Sequence, residues 1–170
     1  MSPLYGALTL NIAYLWFRWL SQYFHWVGPG DFLWRMPVFP LLIAFPFIQF
    51  LVVRRRMQQI QNGAAIENPS LFVWYKEAAK TGLLTAVFVS GSIWLYYTYI
   101  DRTYLPSSII SAIAEAIKSG MPAEQMKTYA ETLKLFNQTN SRAVFTLSGL
   151  TVFGMLSAWP AALLALKFKK

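Results

Sequence analysis

The sequence predicts an all-α fold, a polytopic membrane protein of four transmembrane helices with an external amphipathic helical hairpin between spans three and four. Three observations lead there. Of 170 residues, 56% are hydrophobic, 17% aromatic and only 13% charged, which is too apolar for an ordinary soluble domain. The charges cluster, leaving residues 33–53 (Arg35 apart), 81–100 and 143–166 free of them, and about 20 apolar residues suffice to cross a bilayer as a helix. A further stretch, residues 4–27, qualifies if Arg18 is tolerated within it. The reading is therefore one membrane domain over residues 1–170, with spans at about 4–27, 31–53, 79–100 and 143–166 and the external hairpin at about 105–140.

The first span reads as retained. A secretory signal needs a basic start, a shorter apolar run and a small-residue cleavage site. Here residues 1–6 carry no basic side chain, and the apolar run leads into Tyr23, Phe24, His25 and Trp26. The following "VGPGD", residues 27–31, is a Gly/Pro turn that folds spans one and two into a helical hairpin. Span two carries Pro37, Pro40 and Pro46. Each removes a backbone donor and crowds the preceding turn, so the freed carbonyls need partners from neighbouring helices. The expectation is a kinked, aromatic-rich packing helix.

Orientation follows from the basic residues, since loops rich in Lys and Arg stay cytoplasmic. Arg54, Arg55, Arg56, Lys76 and Lys80 oppose Glu67 and Glu77 between spans two and three, and the C-terminus carries Lys167, Lys169 and Lys170 without an acid. The segment between spans three and four is nearly balanced. Both termini are thus expected on the cytoplasmic side of a bacterial inner membrane, with the basic residues as anchors. The net charge of +8 reads as a topology signal with some affinity for anionic lipid, and nucleic acid is a poor fit.

Asn68 before Pro69 suggests an N-cap followed by proline at the first helical position. The helical pattern runs from there to Ile100, roughly 48 Å at ~1.5 Å per residue. Its first turns, with Trp74 and Tyr75, suit the headgroup interface. Small residues recur every fourth place in spans three and four: Gly82, Ala86 and Ser90 in one, Gly154, Ala158 and Ala162 in the other, flanked by Ser157, Ala161 and Ala165. Such stripes let helix backbones approach closely in lipid. Packing within the bundle is the expected use.

In the external segment Ile109, Ile110, Ile113 and Ile117 recur at helical spacing until Ser119 and Gly120 end the pattern, and Pro122 restarts it. Met126, Tyr129, Leu133 and Phe136 form a second apolar face opposite Glu124, Lys127, Glu131 and Lys134. The expected form is a hairpin capping the bundle. The second face is a candidate surface for docking a partner protein.

The stretches "RRRMQQIQNGAAIENPSLFVWYKEAAKTGLL", "YYTYIDRTYL" and "IAEAIKSGMPAEQMKTYAETLKLF", with a final span running into "ALLALKFKK", resemble an uncharacterised family of small four-span inner-membrane proteins found mainly in Bacteroidota, a domain of unknown function. The resemblance covers about residues 50–170 in order, and the first hairpin more loosely. It implies topology and location, and it carries no active site.

Hydrolytic or transfer chemistry needs convergent acids, bases, nucleophiles or metal ligands. With no cysteine, one histidine and no acid inside any predicted span beyond Asp31 at the edge of the second, an enzyme is not expected. No metal or cofactor is predicted, a bound lipid excepted. What stands out is a polar stripe on span one. Asn11, Arg18 and His25 lie seven apart and Gln22 falls beside them, so on a helix they share one face. Arginine at membrane depth is costly and faces the bundle interior, a cavity or a partner, unless its stem carries the guanidinium out to the headgroups. Candidate partners for Arg18 are carbonyls freed by span-two prolines, Asp31 or Asp101, an anionic lipid, or a carboxylate of another protein. The functional expectation is an accessory or scaffold subunit of a larger membrane complex, its partners being lipids and other membrane subunits or copies of itself. The alternative is a binder or transporter of an anionic lipid or small solute anchored on Arg18.

The charge pattern predicts that a reporter fused after Lys170 is cytoplasmic and one inserted beside Gly120 is external. Paired phosphatase and fluorescent-protein fusions check this, and the reversed result would overturn the orientation.

Overall fold

The computed structural model describes residues 2–23, 38–61 and 70–167. Every regular element among them is helical: α1 (Pro3–Tyr23), α2 (Val38–Gln61), α3 (Leu71–Leu95) running into a π-helical turn (Tyr96–Ile100), α4 (Tyr104–Lys118), α5 (Ala123–Phe136) and α6 (Thr139–Lys167). The "VGPGD" turn, Asp31, Pro37 and the expected Asn68–Pro69 cap lie outside the described residues.

Among the described residues two helices are long and apolar enough to cross a membrane, where four spans were expected. They are Leu71–Ile100 with 30 residues and Thr139–Lys167 with 29. The first runs ~45 Å at ~1.5 Å per residue, longer than a ~30 Å hydrocarbon core. In α1 the apolar run is diluted by Asn11, Arg18 and amphipathic Tyr and Trp rings. Helix α2 continues through Arg54, Arg55 and Arg56 to Gln61. Arginine and glutamine are good helix formers, so the basic run that closes an apolar stretch does not close the helix. All three arginines are exposed, as is Lys167 at the end of α6; Lys169 and Lys170 fall outside the described residues.

Helices α3 and α6 form the central seam. A Cβ added to Gly82 would come within 2.9 Å of the Gly154 Cα, and one on Gly154 within 2.8 Å of the Gly82 Cα. Only two glycines allow that approach. Ala86 and Ser90 continue the buried stripe of α3, and Ser157, Ala158, Ala161, Ala162 and Ala165 that of α6. The small-residue stripes thus serve packing within the bundle. Further along the seam Ser90 Oγ donates to the Ala143 carbonyl at 2.6 Å. Helix α1 also closes on a glycine: a Cβ on Gly6 would meet Val52 of α2 at 2.9 Å and Thr81 of α3 at 3.1 Å.

The core divides into two apolar clusters. One joins Leu10, Tyr14, Leu41, Phe45, Val89, Ile93 and Leu150 to Tyr97, Tyr104 and Leu105 near the start of α4. The other joins Val53, Met57, Trp74, Ala78, Ala158 and Ala165 at the opposite end. Between them lies a polar layer centred on Gln49.

The hairpin of α4 and α5 forms as the sequence suggests. Gly120 takes φ 77°, its N–H donates to the Ile117 carbonyl at 3.1 Å, and the Met121 N–H donates to that of Ala116 at 3.1 Å. That is a Schellman closure, whose left-handed residue favours glycine. Glu124 in the first turn of α5 and Lys134 in its last complement the helix dipole. The buried face of α4 differs from the isoleucine face read from spacing. Leu105, Ser108, Ala112 and Ala116 are buried, whereas Ile110 and Ile117 are 68% and 62% exposed. Small residues make up much of the buried face, while Ile109 and Ile113 are half-buried at its edge.

Gly154→Leu should destabilise the bundle by about 1–3 kcal/mol through overpacking. Gly91→Ala, where the added methyl meets nothing within 4 Å, should stabilise by about 0.5–1 kcal/mol through helix propensity. Thermal unfolding in detergent distinguishes them, and equal effects would mean that the seam is not a close contact.

Candidate functional site

Arg18 ends the buried stripe of α1, after Ala7, Leu10 and Tyr14, and is itself only 5% exposed. The guanidinium therefore points into the protein and does not reach out along its stem to the surface. Its partners come from the far end of α3. There the Asp101 N–H donates to the Tyr96 carbonyl at 2.9 Å, closing the π turn. The extra residue in that turn re-aims consecutive tyrosines, a familiar use of π geometry. Arg18 Nη2 donates to Tyr97 Oη, and its Cζ lies 5.2 Å from the ring centre of Tyr96, 5.1 Å from that of Tyr97 and 5.6 Å from that of Tyr104. A desolvated cation over an aromatic face gains about 2 kcal/mol or more, so the three rings stabilise the buried guanidinium.

Asp101, expected among the candidate partners of Arg18, serves the next helix. Its Oδ1 accepts the Tyr104 N–H at 3.0 Å and the Thr103 hydroxyl at 3.2 Å. This bond anchors the start of α4 and places Tyr104 against Tyr97, the rings stacked at 5.7 Å. Arg142 of α6 closes the far side, with Cζ 5.8 Å from the Tyr97 ring centre and Nη2 donating to Asn137 Oδ1 at 2.7 Å. Burial is the main influence raising the Tyr104 phenol above its ordinary range, with Tyr97 adding to it and Arg142 and Arg18 opposing. Its hydroxyl stays protonated at neutral pH.

Of the other residues on the expected stripe, Asn11 accepts a hydrogen bond from Ser92 Oγ at 3.1 Å, tying α1 to α3. The Gln22 side chain and His25 lie outside the described residues. The expected docking face of α5 is partly spent within the chain. Leu133 is buried, and Phe136 stacks on Phe145 of α6 at 4.9 Å. Met126 and Tyr129 are half-buried.

A second polar node went unread in the sequence. Gln49 of α2 is fully buried. Its Nε2 donates to the carbonyls of Gly154 at 2.8 Å and Ala78 at 3.1 Å, and its Oε1 accepts from Ser157 Oγ at 2.8 Å. In a helix the residue four places on covers a carbonyl. Here those residues are Ala158 and Gly82, so the small-residue seam also opens the carbonyls that Gln49 reaches. A lone glutamine inside an apolar span was the available signal. For Tyr14, Tyr96, Tyr97 and Tyr104, the signal was tyrosine density in a chain with an arginine inside its first apolar stretch.

Chemically, these nodes join helices. Among the described residues, no three His, Cys, Asp or Glu side chains gather as a metal site. Among the described residues, the fold and the site define a helical protein with two helices able to cross a membrane and an arginine held among tyrosines at one end. Residues 4–167 match the family described as "Protein of unknown function (DUF4199)", and the chain belongs to that family. Neither the curated proteins nor the solved structures yield a match.

Arg18→Ala should cost about 2–4 kcal/mol, from lost cation–ring contacts and a residual cavity. Tyr97→Phe, which keeps the ring and loses the hydroxyl, should cost about 1 kcal/mol. Thermal unfolding in detergent measures both. An unchanged Arg18→Ala protein would show that the cluster holds nothing together.

Proposed function

We propose that the chain is a non-enzymatic, multi-pass protein of a bacterial inner membrane, with four spans and both termini cytoplasmic, acting as an accessory or scaffold subunit of a larger membrane complex. One observation carries this reading: polar groups turn inward onto one another, while large apolar side chains cover the outside. Arg18, Gln49 and Ser157 are buried. By contrast Trp16, Ile43, Val87 and Leu156 are 60%, 70%, 50% and 67% exposed, on α1, α2, α3 and α6 respectively. Apolar surface of that extent on a water-soluble chain marks an interaction face, and here it suits acyl chains and neighbouring helices. Its presence on α1 and α2 supports counting them as spans, although tryptophan, tyrosine and arginine lower their hydropathy. A ligand anchored directly on Arg18 is disfavoured, because three tyrosine rings already surround its guanidinium.

Purification of the full chain from membranes in mild detergent, followed by cross-linking and mass spectrometry, tests the proposal. Companion membrane proteins at fixed stoichiometry are expected. A solitary monomer under conditions that preserve other membrane complexes would remove the scaffold reading.

A further inference from the structure

Just beyond the polar cluster an open cleft of about 420 Å³ lies between the π turn and start of α4 on one side and the α5–α6 junction on the other. Arg102 lines one wall and Lys134 the other, with Asn137, Gln138 and Thr139 beside the lysine. Arg102 is positioned: its Nε donates to the Thr98 carbonyl at 2.8 Å, which leaves the two terminal nitrogens of its fork to be shared. Arg142, bonded to Asn137, adds a third cation behind the wall.

The charge here is unbalanced. Among the described residues the one ion pair within 4.0 Å joins Lys80 and Glu77, near the start of α3. The nearest acid in sequence, Asp101, has its Oδ1 committed to the first turn of α4. Glu131 on α5 and Glu115 on α4 form no ion pair with Arg102, Lys134 or Arg142 by that criterion. Thr139 begins α6, whose first turn carries no acid, so the positive end of its dipole adds to the same field. An arginine fork, a lysine and amide groups around one cleft match a phosphate group.

Place decides the source of that phosphate. Arg102 follows the candidate span Leu71–Ile100 by two residues, and Thr139 is the first residue of the other candidate span. Both therefore mark the same end of the seam, where a bilayer surface would lie. Leu105, Pro106 and Ile109 give the cleft an apolar side, suited to the glycerol and first methylenes of a lipid. We propose that this cleft binds a phosphate group presented by an anionic membrane lipid. The proposal rests on the membrane reading of these two helices and is independent of any scaffold role. It also moves anion recognition from Arg18, enclosed by tyrosines, to cations that face open space.

The test is native mass spectrometry of the full-length protein in detergent, titrated separately with dioleoylphosphatidylglycerol, dioleoylphosphatidylcholine and inorganic phosphate. One tight equivalent of phosphatidylglycerol is expected, bound in preference to phosphatidylcholine. Arg102→Gln combined with Lys134→Gln should lose that equivalent, each substitution weakening it by about tenfold for a charge-assisted hydrogen bond. Arg54→Gln with Arg55→Gln, exposed near the end of α2, should keep it. Far-UV circular dichroism confirms that each variant is folded. Inorganic phosphate bound as tightly as the lipid would overturn the lipid source. Equal binding of both lipids, or full retention by the Arg102/Lys134 variant, would overturn the site. If the Arg54/Arg55 variant loses the same equivalent, attraction is diffuse and the proposal fails. Failure of the cleft would leave co-purifying companions unaffected, so the two proposals are separable.

Discussion

The closure of α3 on α6 at Gly82 and Gly154 is the constraint around which the bundle is arranged. Two opposed glycines bring the backbones together, and no side chain intervenes at the crossing. Dispersion and weak polar contacts, which drive helix association in lipid, gain most from such proximity. The same lack of side chains uncovers carbonyls that would otherwise be shielded. Gln49 uses two of them and fastens α2 across the seam. Close packing and polar bonding are therefore products of one sequence feature.

At the end of the seam nearest α4 the chain meets a harder problem, the burial of a cation, Arg18. The tyrosines solve it by presenting ring faces and a hydroxyl to Arg18. Their arrangement depends on local backbone chemistry more than on composition. A π turn sets Tyr96 and Tyr97, and Asp101 fixes the first turn of α4 so that Tyr104 completes the group. Because the rings come from α3 and α4 while the arginine comes from α1, the cluster also joins the α4–α5 hairpin to the bundle. Arg142 extends it to α6. The cleft with Arg102 and Lys134 lies on the outward side of this assembly, so the same structure that encloses one cation leaves others facing open space.

Legibility in the sequence followed the range of each interaction. Helix periodicity, the Ser119–Gly120 break and the small-residue stripes are local patterns of three to seven residues, and they were readable. The shared helix face of Asn11 and Arg18 was readable for the same reason, but the sequence left open whether Arg18 turns inward or reaches out to the headgroups. Its partners were not, since Tyr97 stands 79 positions away and the π turn that orients it has no reliable signature. Gln49 was passed over because one polar residue in an apolar helix has no period. Its value came only from Ser157, which is 108 positions distant. The face of α4 was misjudged for a related reason: hydrophobicity favoured the isoleucines, while close packing selected Ala112 and Ala116.

By itself the sequence determined the helical class, the apolar lengths of the two helices able to cross a membrane and the position of the hairpin turn. Those properties arise from hydrogen bonding and hydropathy within short stretches of chain. Only the tertiary structure decided that Gly82 meets Gly154, that Tyr96, Tyr97 and Tyr104 gather round Arg18, and that Arg102 and Lys134 share a cleft. Each of these depends on the relative rotation of helices far apart in sequence. That rotation is set by packing summed over whole helix faces, so no single stretch of sequence specifies it.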